Sequence, residues 1–144
     1  GADGKYGFLD IIKNYRGTDA ANISLYSAGM AYYHLNDFKN SIEYLNDFDS
    51  EDEILNALAL GVIGDSFAEL DQLEDALDSY DDAINSSTND FTSPKFLLKA
   101  GNIASSLGKK SIALDYYKRI KEDYSKSSES FLIDIQIEKN SLKN

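Results

Sequence analysis

Three glycines, Gly29, Gly64 and Gly101, stand 35 and 37 residues apart, and each lies in the same local pattern. From Ala57 to Asn85 the chain reads ALALGVIGDSFAELDQLEDALDSYDDAIN. Leu60, Ile63, Gly64 and Phe67 fall on one face of a first helix; Ala76, Tyr80 and Ala83 fall on one face of a second. The same spacing recurs as Leu25, Ala28, Gly29 and Tyr32 followed by Ser41, Leu45 and Phe48. It recurs again as Leu97, Ala100, Gly101 and Ala104 followed by Ala113, Tyr117 and Ile120. Glycine in the first helix and alanine (Ala76, Ala113) in the second let paired backbones approach to about 8–10 Å. A unit that cannot bury its apolar face alone must stack on its neighbours. The expected fold is therefore all-α, a right-handed α-solenoid of antiparallel helix pairs forming a single domain over 1–144.

The punctuation agrees. Asn36, Asp71 and Gly108, all tolerant of positive φ, stand between paired helices. Ser50 with Glu53 reads as a capping box, and Ser93 before Pro94 as an N-cap and first helical position. The polar stretch Asn85 to Phe91 accounts for the longer second spacing. About eight helices are expected, near 5–16, 20–35, 38–48, 52–70, 73–86, 94–107, 110–123 and 128–142.

This spacing resembles the tetratricopeptide repeat, a helix–turn–helix unit of about 34 residues. The resemblance implies repeats over 22–56, 57–93 and 94–127. Glu53, Thr88 and Ser125 stand where that repeat usually closes with proline. Phe8, Ile11 and Tyr15 match Tyr117, Ile120 and Tyr124, so 5–16 reads as a half repeat, a second helix without its first. The segment 128–142, with Phe131, Leu132 and Ile135 before a polar end, reads as a capping helix.

Composition narrows the function. Twenty-five acidic against 14 basic residues give a formal charge of −11, which repels phosphate backbones and anionic lipid. Nucleic-acid and membrane-surface partners are disfavoured. With no cysteine, thiolate metal sites and cysteine nucleophiles are excluded. No apolar run reaches 18 residues, so no direct insertion into a bilayer by this chain is expected.

No catalytic constellation emerges, and neither enzymatic activity nor a cofactor is expected. His34, the only histidine, has no partner nearby in sequence and reads as an exposed polar residue closing a first helix. The run Asp47, Asp49, Glu51, Asp52, Glu53 lacks the mid-loop glycine of a calcium loop, and Leu58 stands where a closing glutamate belongs. Asp78, Asp81 and Asp82 read as a solvated helix face. Tyr32, Phe67, Tyr80 and Tyr117 occupy core positions of the template.

Function is expected on the concave surface lined by first helices. The template places Ile23, Tyr26, Ser27, Met30, Tyr33 and His34 there from the first repeat. Leu58, Gly61, Val62, Asp65, Ala68 and Glu69 follow from the second, and Lys95, Leu98, Lys99, Asn102, Ser105 and Ser106 from the third. That surface runs from apolar to basic, so the expected ligand is a protein or peptide segment with an apolar stretch and an acidic end. Chaperone-tail-binding members of the repeat family grip a carboxylate with Lys and Asn, then Asn, then Lys and Arg. Here Tyr26, Met30 and Val62 depart from the first three, and only Lys95 and Lys99 supply cations, so that mode is not expected.

LGVIGDSFAELDQLEDA from Leu60, and NDFTSPKFLLKAGNIASSLGKKSIALDYYKRIKEDY to Tyr124, resemble bacterial envelope-anchored repeat proteins similar to the ancillary subunit of the Sec translocon. That resemblance implies a periplasmic repeat domain behind a single membrane anchor lying outside this chain; without it the cytoplasm is the expected location. An alternative expectation is a self-assembly module, a homodimer formed through the unpartnered apolar face of residues 6–15.

Overall fold

The computed structural model describes residues 2–14, 17 and 19–142. Eight α-helices appear among them: α1 (Ala2–Asn14), α2 (Asp19–His34), α3 (Phe38–Asn46), α4 (Glu53–Glu69), α5 (Leu73–Ser86), α6 (Ser93–Ser106), α7 (Lys110–Asp123) and α8 (Asp134–Ser141). Each packs on the next, so α2–α3, α4–α5 and α6–α7 form antiparallel pairs stacked through α3–α4 and α5–α6. The result is the all-α, right-handed solenoid expected from the glycine spacing.

The three glycines face their paired helices. A Cβ on Gly64 would lie 2.6 Å from the Tyr80 ring, one on Gly101 would lie 2.5 Å from Tyr117, and one on Gly29 would strike Leu45. Asn36 and Asp71 take φ values of 58° and 57°, and Gly108 takes 75°, each reversing the chain between paired helices. Two groups of buried side chains hold the stack. Leu45, Phe48, Ala59 and Ile63 join α3 to α4. A larger group, including Tyr80, Phe96, Leu97, Tyr117, Ile120 and Ile133, runs from α4 to the residue before α8. Leu60 and Phe67 pack against both, making α4 the shared element.

Four local expectations are corrected. The start of α4 is capped by Asp52, whose carboxylate accepts from the N–H groups of Ile54 and Leu55. Ser50 lies two residues upstream, its hydroxyl accepting from Asp52 N–H and its own peptide clamped by the Asn56 amide. At α6 the cap is Thr92, and Ser93 is already helical. The Ser93 hydroxyl instead accepts from Asn89 N–H and donates to the Ser87 carbonyl, bracing the 85–92 loop.

The third correction is at the C-terminal end, where 128–142 is a 3-10 turn (Glu129–Phe131) followed by the short α8. The Ser127 hydroxyl donates to the Tyr124 carbonyl and accepts from Ser130 N–H, a local bonding pattern that favours a tight turn over a continuous helix. Ile133 is the apolar side chain buried there, beside the polar Ser130 and Asn140, whereas Phe131, Leu132 and Ile135 are 76%, 70% and 75% exposed. Fourth, Gly61 does not serve the groove. It is buried, and a Cβ there would strike the Phe96 ring of the next repeat. Of the half-repeat face, Ile11 is partly buried, while Tyr15 and the side chain of Phe8 lie outside the described residues.

Candidate interaction groove

The surface expected to carry function is that of the first helices α2, α4 and α6, and a charged centre ties α4 to α6. Asp65 follows the close-contact glycine on α4, so its carboxylate emerges beside the helix-pair seam. There it accepts from the Tyr80 hydroxyl at 2.6 Å. Lys99 on α6 reaches the same carboxylate with its Nζ at 2.7 and 2.9 Å from the two oxygens. The Lys99 ammonium also lies 6.0 Å over the Tyr80 ring. Burial, and then the Asp65 bond and charge, push the Tyr80 hydroxyl far above the ordinary tyrosine range.

Tyr33 of α2 completes the cluster. Its hydroxyl is raised by burial first, then by the charges of Asp65 and Glu69. Its ring meets His34 edge-on at 5.7 Å and Phe38 at 5.6 Å. His34 itself is exposed. The third repeat copies the hydrogen bond without the charge, since the Tyr117 hydroxyl donates to Asn102 Oδ1 at 2.7 Å. In the first repeat Met30 and Leu45 stand at those two places, so this end of the surface is apolar.

The structure divides the remaining groove candidates. Tyr26, Leu58, Val62 and Leu98 are half-buried and pack against the two cores, Tyr26 tilting onto Phe48 at a ring separation of 5.2 Å. Met30 is half-buried, and Ile23 is 61% exposed. Leu58 and Lys95 share a cavity of about 340 Å³ with Phe91 and Glu129. Lys95 lies 5.9 Å over the Phe96 ring.

Sequence reasoning missed three contributors here. Tyr80 is core as read, at 3% exposure, but its hydroxyl also donates to Asp65; the recurrence of Asp or Asn after the glycine with Tyr in the paired helix is the signal for that bond. Phe91 and Glu129 come from connecting segments outside the template, and no pattern marks them.

The chemistry available is recognition by apolar contact, hydrogen bonding and charge. Among the described residues no group of His, Asp and Glu side chains is placed to hold a metal ion. No helix among them is long and apolar enough to cross a membrane.

Residues 24–53 and 96–127 each match a model of the tetratricopeptide repeat. The crystal structure of MamA superposes with a TM-score of 0.67 at 20% identity, covering 81% of this chain. The chain spans 64% of that protein's length. A second crystal structure of MamA protein gives a TM-score of 0.59 at 20% identity, covering 84% of this chain and 73% of that one. At this identity the likeness is one of fold. No curated protein sequence matches the chain.

Proposed function

We propose that this chain, carrying tetratricopeptide repeats, is a non-catalytic protein-interaction scaffold that receives a peptide or protein segment in its concave groove. The observation that carries the reading is the strip Tyr33, Asp65, Glu69 and Lys99, contributed by three successive first helices and flanked by Tyr26, Met30, Leu58 and Val62. Extended or helical segments are recognised by such a combination of apolar surface and a few fixed polar groups. The test is to select peptides from a random library on the immobilised protein, then titrate them into wild type and a Tyr26→Ala/Tyr33→Ala variant. Loss of binding with retained helicity is expected; equal affinity for both proteins removes the groove from the function.

The repeat bounds 22–56, 57–93 and 94–127 belong to the same reading. So does an envelope setting, which rests on the resemblance of residues 60–124 and is tested by fractionating source cells that carry the full-length protein. Recovery in the cytoplasmic fraction overturns it.

Self-association is a second reading, favoured by the exposed Phe131, Leu132 and Ile135 at one end and the half-repeat helix at the other. Light scattering over a wide concentration range decides it, a constant monomer mass ruling it out.

A further inference from the structure

The basic end expected of the groove is partly neutralised within the fold. Lys99 gives two hydrogen bonds to the Asp65 carboxylate of the preceding repeat. Two other lysines of the third repeat are also paired, Lys109 with Glu74 and Lys121 with Asp134, each at 2.7 Å. Lys95 makes no ion pair among the described residues, but its cavity also holds Asp90 and Glu129. Glu69 is exposed one turn beyond Asp65 and makes no ion pair among the described residues. What remains is a set of half-buried apolar side chains, Tyr26, Met30, Leu58 and Val62, with Glu69 exposed and unpaired on the helix of Leu58 and Val62, and two carboxylates against one ammonium in the cavity of Leu58 and Lys95, on a chain whose formal charge is −11.

We infer that the partner received in this groove is a cationic amphipathic segment, its apolar face on those half-buried side chains and its Lys or Arg side chains toward Glu69 and the Asp90–Glu129 cavity. The inference rests on the groove reading above and adds the sign of the partner's charge. An acidic segment would find one free ammonium flanked by two carboxylates, whereas a basic one meets a net negative charge both at Glu69 and at the Asp90–Glu129 cavity.

The test uses three synthetic peptides of about 18 residues, long enough to cross the groove as a helix of roughly 27 Å. All share one Leu/Phe face and differ only in flanks of Lys, Gln or Glu. The Lys peptide should bind at least about tenfold tighter than the Glu peptide, and the gap should shrink as ionic strength rises from about 0.05 to about 0.5 M. Glu69→Gln should weaken the Lys peptide roughly threefold and leave the Gln peptide unchanged, as expected for one surface charge. Asp82→Asn, an exposed acid on α5, serves as the control for diffuse attraction. Circular dichroism establishes that both variants fold.

Equal or tighter binding of the Glu peptide overturns the cationic partner and leaves the groove standing. An effect of Asp82→Asn as large as that of Glu69→Gln also overturns it, because the attraction would belong to the whole surface. If none of the three peptides binds and the library selection also fails, the groove reading falls and takes this inference with it.

Discussion

The Lys99 ammonium sits 2.7 Å from the Asp65 carboxylate, fastening the first helix of the third repeat to that of the second. Asp65 is the more confined partner, with its side chain 20% exposed against 33% for Lys99. The same carboxylate is the acceptor for the buried Tyr80. Asp65→Ala should therefore cost about 1–3 kcal/mol, because it strands a buried hydroxyl as well as an ammonium. Lys99→Met should cost about 1 kcal/mol or less, the ordinary worth of a partly solvated pair. Urea unfolding of the two variants measures the asymmetry; equal losses would show that the Tyr80 bond contributes nothing.

Two glycine substitutions should act in opposite directions. Gly64→Ala drives a methyl into the Tyr80 ring at 2.6 Å, which should destabilise by about 1–3 kcal/mol. Gly7 in α1 has open space where a Cβ would stand, with no atom of the described residues within 4 Å, so Gly7→Ala gains helix propensity without a clash. It should raise stability by about 0.5–1 kcal/mol. Thermal melts of both decide the matter, and a neutral Gly64→Ala would contradict the close helix pairing.

Ser41 is fully buried on α3, and its hydroxyl finds no hydrogen-bond partner among the described residues. Alanine stands at the corresponding places in the next two repeats, Ala76 and Ala113, both fully buried. Removing an unsatisfied buried hydroxyl without changing the packing should stabilise, so Ser41→Ala should raise the unfolding free energy by about 1 kcal/mol. A loss of stability in chemical denaturation would mean that the hydroxyl is bonded after all.

Alkaline pH should loosen the fold through two tyrosines. Burial first, then hydrogen bonds to Asp65 and Asp81, raise the hydroxyls of Tyr80 and Tyr116 well above the unfolded value near 10. A group whose folded pKa is raised contributes fully below the unfolded pKa and loses that contribution as pH climbs toward the folded one. Stability should thus hold through pH of about 9 and fall beyond about 10. Tyr80→Phe and Tyr116→Phe should each flatten the decline. Denaturant midpoints across that range give the slopes; an unchanged slope in both variants would refute the assignment.

The fold is readable from the sequence because the determining residues are local. A glycine, an alanine and a positive-φ residue within one helix hairpin specify how close its helices come and where the chain reverses. Gly29, Gly64, Gly101, Asn36, Asp71 and Gly108 all play those parts. Gly61 escapes such reasoning because it lies on a different face of α4, and only the arrival of Phe96 from another repeat gives it a task. The Asp65–Lys99 pair escapes for the same reason, since the two residues are 34 apart and nothing in either helix alone announces their meeting. Ser50 loses the cap because Asp52 offers a carboxylate one residue before the helix. The C-terminal helix is shorter than its apolar residues suggest, because packing uses Ile133 and leaves Phe131, Leu132 and Ile135 outside.

The ties between the second and third repeats also dictate sequence order. Lys99, Lys109 and Tyr116 reach back to Asp65, Glu74 and Asp81. The residues at the matching places in the first repeat are Met30, Lys39 and Asn46. A permuted chain that set the third repeat directly on the first would put an ammonium against a thioether and two lysines against each other. These modules share one template but are not interchangeable bricks: each carries, in a few polar side chains, the address of its neighbour.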